Sequence, residues 1–207
     1  MKPNILPAIR TMKDLEKLIQ TDYKECVILD THVGHLKSTM ELLKKAHVET
    51  YMHIDLIKGM SHDEYACEYI IQHYHPKGIV STKMRVLKKA KSLNTTTILR
   101  VFILDSQALK RSIELIKKAE PDYVEVLPGV AGKAIKIIKE ETQIPVIAGG
   151  LINTPEEVTE AVNNGAHYIT TSNRQLWRLL AFQFIISESI QLFVDNAYMK
   201  SVRYKLS

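Results

Sequence analysis

The sequence predicts a single (β/α)8 barrel of the TIM type with short loops, and three observations carry that reading. Eight short, mostly aliphatic or β-branched runs alternate with eight amphipathic stretches from one end of the chain to the other. That is the pattern of strands buried on both faces and covered by helices. Successive α/β units make a parallel sheet with right-handed crossovers, and eight of them can close into a barrel. No Pro-, Gly- or Ser-rich linker divides the 207 residues, and no G-x-G-x-x-G follows the first strand, as the rival open doubly wound sheet would want.

Taken in order, the expected strands are Ile5–Ile9, Cys26–Leu29, Glu49–Ile54, Gly78–Ser81, Thr97–Leu104, Tyr123–Leu127, Pro145–Ala148 and Tyr168–Thr170. The expected helices begin with Met12–Gln20, which places Leu15, Leu18 and Ile19 on one side, and Leu36–Ala46, with Met40 and Leu43 between lysines. Asp63–Tyr74, Met84–Leu93, Gln107–Lys118, Val130–Glu140, Pro155–Asn164 and Arg174–Phe193 follow. Thr154-Pro155 puts a cap before Pro at the first helical position, and Asn163-Asn164-Gly165 supplies a stop. We therefore expect one domain over 1–207, with 179–207 forming an apolar C-terminal helix and tail.

Composition narrows the class. Hydrophobic residues make up 45% and charged residues 25%, as in ordinary soluble domains. Lysine and arginine number 28 against 23 acidic residues, a net charge of +5 that permits polyanion binding without requiring it. Cys26 and Cys67 form no C-x-x-C pair and no disulfide framework, which suits a reducing cytoplasm. The N-terminal MKPNILPAIRTMKDLEK lacks the apolar region of a signal peptide. The most apolar stretch, Leu179–Val194, is interrupted by Gln183, Ser187, Glu188, Ser189 and Gln191, so no bilayer crossing is expected.

The strongest chemical signal is a pair of strand ends near the C-terminus. Val146-Ile147-Ala148 runs into Gly149-Gly150, and Tyr168-Ile169-Thr170 runs into Thr171-Ser172-Asn173 ahead of a helix. Glycines let a backbone turn and approach a ligand closely, and barrels often hold phosphate with the loops after strands seven and eight. Gly149, Gly150, Thr171 and Ser172 are thus the candidate phosphate cup. The bland alternative is a tight turn and a helix cap.

Other polar residues gather at the same ends of the strands. His53 and Asp55, two apart, would share a strand face and could meet hydroxyls or move protons; equally, Asp55 could cap a turn and His53 sit in the core. Asp30 follows strand two. Glu125 lies inside apolar strand six, where an unpaired carboxylate is rare, and either Arg100 in strand five or a lysine at the barrel mouth could pair with it. The histidine pairs do not converge on four ligands, so no metal is expected. Lys83, Arg85, Lys88, Lys89 and Lys91 form a basic run suited to nucleic-acid phosphates, although such a run is more often a solvated helix face. No RRM or KH signature accompanies it.

Across most of the chain the residues resemble a family. ILPAIR (5–10), VILDTHVGHLKS (27–38), HIDLIKGMSHDEYA (53–66), GIVSTK (78–83), EVLPGV (125–130), IPVIAGGLI (144–152) and TTSNRQLW (170–177) occur in order. They are similar to the glycerol uptake operon antiterminator regulatory proteins of the GlpP type. The resemblance implies a barrel that senses glycerol 3-phosphate, uses no cofactor beyond that effector, and is not an enzyme. It also implies binding to the leader mRNA of a glycerol-metabolism operon, where the protein prevents premature termination. The phosphate would then lie against Gly149, Gly150, Thr171 and Ser172, with Gly129 nearby, and the glycerol hydroxyls would meet some of His53, Asp55, Asp30 and Glu125. The basic run Lys83, Arg85, Lys88, Lys89 and Lys91 would contact RNA.

One region departs from the pattern. Typical members end soon after the TTSN helix begins, whereas here Leu179–Val194 continues, followed by a tail with Lys200, Arg203 and Lys205. The segment reads either as an eighth helix packed on the barrel or as a homodimer contact. An alternative from another class, a barrel enzyme acting on a small phosphorylated substrate, would use His53, Asp55 and Glu125 as acid/base groups.

Overall fold

The computed structural model describes residues 4–177. Eight parallel strands close into a barrel: β1 (Asn4–Ile9), β2 (Glu25–Ile28), β3 (Glu49–His53), β4 (Gly78–Ser81), β5 (Thr96–Phe102), β6 (Tyr123–Leu127), β7 (Val146–Gly149) and β8 (Ala166–Thr171). Neighbours in sequence are neighbours in space, and β8 closes the ring on β1 with Asn4 opposite Tyr168 and Pro7 opposite Thr171. The (β/α)8 expectation is therefore met. The helices are α1 (Met12–Leu18), α2 (Val33–Lys45), α3 (Glu64–Tyr74), α4 (Met84–Ser92), α5 (Ser106–Ala119), α6 (Gly132–Thr142) and α7 (Pro155–Asn163). Residues 174–177 are helical where the described chain ends. The expectations for 179–207 lie outside the described residues.

Strand alternation separates two apolar layers. Ile28, Met52, Ile79, Leu99, Val124, Val146 and Ile169 pack with helix residues such as Leu36, Leu43, Ile70, Leu87, Ile116, Ile135 and Val158. Their strand neighbours Leu6, Val27, Tyr51, Val80, Ile98 and Ile147 form a separate cluster inside the barrel. Both faces of each strand are buried, which is why the strands read as continuous apolar runs. Tyr123 and Tyr168, ring centroids 5.9 Å apart, pack against this inner cluster at the strands' N-terminal ends.

The helix starts follow their caps. Thr11 and Thr154 each complete a capping box, with Asp14 and Glu157, and Asp63 and Asp105 accept from the third helical amides of α3 and α5. Helix α2 begins at Val33, three residues before the expected Leu36, because the His32 ring accepts the Gly34 N–H at 3.0 Å. Thr31–His32 also pairs with Ile57–Lys58 in a two-stranded ribbon beside the barrel mouth. Strand β5 ends at Phe102 rather than Leu104, since its partner β6 runs only to Leu127.

Candidate functional site

The inward alternation of five strands sets a polar layer at the C-terminal end of the barrel. Two residues beyond Tyr51, Ile98, Tyr123, Ile147 and Tyr168 come His53, Arg100, Glu125, Gly149 and Thr170. Arg100 Nε donates to Glu125 Oε2 at 2.7 Å, and Thr170 Oγ1 donates to Glu125 Oε1 at 2.7 Å. Arg100 is 7% exposed and Glu125 2% exposed. A buried carboxylate needs such partners, because desolvating it alone would be prohibitive. The Arg100 Nη groups donate to no acceptor among the described residues and lie where solvent can touch them. Glu125 and Thr170 join across β7, and Gly149 makes the room. A Cβ there would stand 2.4 Å from Thr170 Oγ1 and 2.7 Å from Glu125 Oε1. The first glycine of the Gly-Gly pair thus serves the polar layer, and the second makes the turn, with φ +74°. Leu151 follows with φ +60°, a left-handed conformation that costs a non-glycine residue roughly 1–2 kcal/mol.

The loops after β7 and β8 lie side by side. Gly149 opposes Thr170 in the ladder. Thr171 Oγ1 donates to the Ile152 carbonyl at 3.2 Å, and Asn173 Nδ2 donates to the Asn153 carbonyl at 3.1 Å. Trp177 Nε1 donates to the Thr171 carbonyl at 2.8 Å from a fully buried ring. Arg174 Nε reaches Asp14 Oδ1 at 2.7 Å and ties this end of the chain to α1. Within this stitched rim, the N–H groups of Gly150, Leu151 and Ser172 donate to no acceptor among the described residues. Ser172 is exposed, and so are Gly150 and Leu151.

Three expected contacts have other work. Gly129 N–H donates to the carbonyls of Gly149 at 2.6 Å and Gly150 at 2.9 Å, so it braces the turn rather than facing a ligand. A Cβ on Gly129 would meet the Gly149 nitrogen at 2.9 Å, which explains the glycine. The Thr171 hydroxyl, besides donating to Ile152, accepts the Asn173 N–H at 3.1 Å. Both Glu125 oxygens already accept hydrogen bonds, so Glu125 orients Arg100 and Thr170.

The strand-face argument for His53 and Asp55 fails at the strand end. β3 stops at His53, and Ile54–Leu56 form a 3-10 turn that breaks the alternation. Asp55 turns to the loop after β4. It accepts from Ser81 Oγ at 2.8 Å, the Thr82 N–H at 2.7 Å and Thr82 Oγ1 at 2.8 Å. Burial raises its proton affinity, but these hydrogen bonds outweigh it and hold the carboxyl below the usual range. His53 is 2% exposed, and neither ring nitrogen has a partner among the described residues. Burial, assisted by the Arg100 charge and opposed by Asp55, pushes the imidazole down to about 3, so the ring is neutral near pH 7.

Asp30 is not part of this layer. It pairs with Lys58 at 2.9 Å and lines a separate cavity of about 350 Å³ with Arg10, His32 and His35. A cavity of about 810 Å³ lies outside the barrel between α2 and α3 and includes none of the inward polar residues. We take the polar layer as the site, because cavity size alone does not select chemistry.

The basic run lies on and before α4 and is mostly tied down. Lys83 Nζ donates to the His62 carbonyl, Lys89 pairs with Glu68 at 2.9 Å, and Lys91 donates to the Glu120 carbonyl. Arg85 stands 3.8 Å from Glu64, and Lys88 makes no such contact among the described residues. No group of three metal-ligating side chains occurs among the described residues, and none of their helices is long and apolar enough to cross a membrane.

Comparison with known proteins gives a consistent answer. Residues 5–177 match the family described as glycerol-3-phosphate responsive antiterminator. The chain is similar to the uncharacterized protein YgcP of Escherichia coli strain K12, 30% identical over 84% of this chain and 92% of that protein. It is also similar to the crystal structure of the glycerol uptake operon antiterminator regulatory protein of Listeria monocytogenes. There the identity is 36% and the TM-score 0.83, over 86% of this chain and 96% of that one. A glycerol uptake operon antiterminator-related protein of Thermotoga maritima gives 31% identity and a TM-score of 0.76, over 86% and 99% of the two chains.

Proposed function

Since the chain belongs to the glycerol-3-phosphate responsive antiterminator family, we propose that it binds glycerol 3-phosphate at the C-terminal rim of its barrel and, so loaded, holds the leader mRNA of a glycerol-metabolism operon and promotes read-through. One observation carries the ligand assignment. The loops after β7 and β8 are tied together and leave the Gly150, Leu151 and Ser172 amides without acceptors among the described residues, next to a layer holding Arg100 and a neutral His53. Backbone amides of adjoining loops are the usual barrel receptor for a phosphoryl group. The phosphate takes Gly150, Leu151, Ser172 and the Ser172 hydroxyl, with Gly149 and Thr171 shaping the rim. The glycerol hydroxyls take His53 and the Arg100 Nη groups. Among the cations of the basic run, Lys88 and Arg85 are the least engaged and supply the RNA contacts. The protein works in the cytoplasm.

Ligand and RNA are coupled if the effector prefers the RNA-holding state. A coupling of about 1–3 kcal/mol changes RNA affinity roughly 5–150-fold. The test is retention of the cognate leader RNA on a filter with and without glycerol 3-phosphate at fixed salt. Retention should rise with ligand; unchanged retention would remove the regulatory reading. The enzyme alternative is less well served by the geometry. Each oxygen of Asp55 and Glu125 already accepts a hydrogen bond from a neighbouring residue, and an imidazole with a pKa of about 3 is a poor general base near neutrality.

A further inference from the structure

Helix α3 carries a series of rings on its solvent side. It buries Ala66, Cys67, Ile70 and Ile71. Tyr65, Tyr69 and His73, each four residues after the last, follow one another along the exposed surface. Tyr65 is 81% exposed and Tyr69 43%, and His73 is exposed as well. Tyr69 and His73 stack with ring centroids 4.1 Å apart and 27° between their planes. His73 Nδ1 lies 2.9 Å from the Tyr69 carbonyl. That oxygen can only accept, so Nδ1 donates and the imidazole is held in its stacked orientation.

Cations flank the rings on both sides. On α4, Arg85 stands 3.8 Å from Glu64 and Lys89 2.9 Å from Glu68, so the acidic residues of α3 are already compensated. Lys88 on the same helix is paired with no carboxylate among the described residues. Helix α3 packs on α4 but stands apart from α2, and the gap is the cavity of about 810 Å³. Tyr69 and His73 line it from α3, and the exposed Lys37 and Lys44 line it from α2. We propose that this face receives single-stranded RNA, with bases stacked on Tyr65 and on the Tyr69–His73 pair, and phosphates met by Lys37 and Lys44 on one flank and by Arg85 and Lys88 on the other. The inference rests on the RNA reading above and adds the surface and the strandedness. Every base has a π face, and rings set among cations hold unpaired strands regardless of sequence. A paired helix keeps its bases stacked inside, where these rings cannot reach them. A protein partner fits less well, because the centres of protein interfaces are depleted of lysine.

The experiment is filter retention of the cognate leader RNA by the full chain loaded with glycerol 3-phosphate, across a salt series, with the same RNA annealed to its complement as the paired form. The unmodified protein should hold the single strand more tightly than the duplex. Tyr65→Leu and Tyr69→Leu remove a π face but no charge. Each should weaken retention about 5–150-fold, the range for one lost base stack, with the salt slope unchanged. Tyr65→Phe and Tyr69→Phe keep the ring and should retain RNA as the unmodified protein does. Lys37→Ala should lower the log–log salt slope by about 0.7. If the unmodified protein holds the leader and both Leu variants match it, this surface is overturned and the RNA reading stands. The same holds if a Leu variant changes sedimentation but not RNA affinity, which assigns the face to a second copy. Equal losses in the Phe and Leu variants overturn stacking, and duplex held as tightly as single strand overturns the strandedness. No retention by the unmodified protein overturns the surface and the RNA reading together. The comparison of strand with duplex needs no variant, so a misfolded substitution does not remove the test.

Discussion

Replacing Glu125 by Gln probes the polar layer with little change of volume. The Gln carbonyl can still accept the Thr170 hydroxyl, but its amide nitrogen is a donor facing another donor, Arg100 Nε. Arg100 is then a cation only 7% exposed with no counter-charge in contact. Breaking a buried pair by removing one partner typically costs about 3–5 kcal/mol. An unfolding entropy of about 2.1 cal/mol/K per residue gives roughly 0.4 kcal/mol/K for a chain of 207 residues. We therefore expect Tm to fall by about 7–12 °C, measured by calorimetry and checked by urea unfolding. Adding Arg100→Met removes the orphaned charge, so the double variant should recover part of the loss, with non-additivity of at least about 1 kcal/mol. A Glu125→Gln protein within about 1 kcal/mol of the parent would refute the buried-pair account.

Three further outcomes follow. Gly149→Ala drives a Cβ into the Glu125–Thr170 bond and should destabilise by about 1–3 kcal/mol in urea unfolding while abolishing glycerol 3-phosphate binding by calorimetry. His53 has a folded pKa of about 3 against an ordinary 6.5, so the unfolded chain binds the extra proton first; stability falls as pH drops below 6.5 and keeps falling until about 3. The His53 contribution amounts to about 2 kcal/mol between pH 7.5 and 5, and that part of the slope should vanish in His53→Phe. Lys88→Ala should reduce the salt dependence of leader RNA retention by about 0.7 in log–log slope, the value for one phosphate contact on a single strand, with glycerol 3-phosphate affinity unaltered.

The barrel was legible because its strands are buried on both faces and its helices on one, so the apolar pattern changes character at each junction. Capping residues such as Thr154 and Asp63 marked helix starts for local reasons. Helix α2 starts three residues ahead of its apolar periodicity because the features that start it, the His32 cap and the ribbon with Ile57–Lys58, depend in part on a segment 26 residues further on. In the site, the Arg100–Glu125 pair could be anticipated from the rule that carboxylates are not buried alone. The role of Gly149 could not, since a glycine at a strand end reads as a turn whether or not a hydrogen bond passes over it. Asp55 illustrates a limit of periodicity: the two-residue alternation holds only while the strand lasts, and here it ends at His53. The unbonded amides and the unpartnered imidazole were also out of reach, because satisfaction of a polar group is a property of its neighbours in space.

The placement of an oxyanion between two loops is best examined by following backbone amide resonances during titration with sn-glycerol 3-phosphate. Hydrogen bonds to phosphate oxygen should shift the Gly150, Leu151 and Ser172 protons downfield together, all saturating at one affinity. If the compound binds while those three resonances stay where they are, the anion lies elsewhere and the rim is only a pair of tight turns.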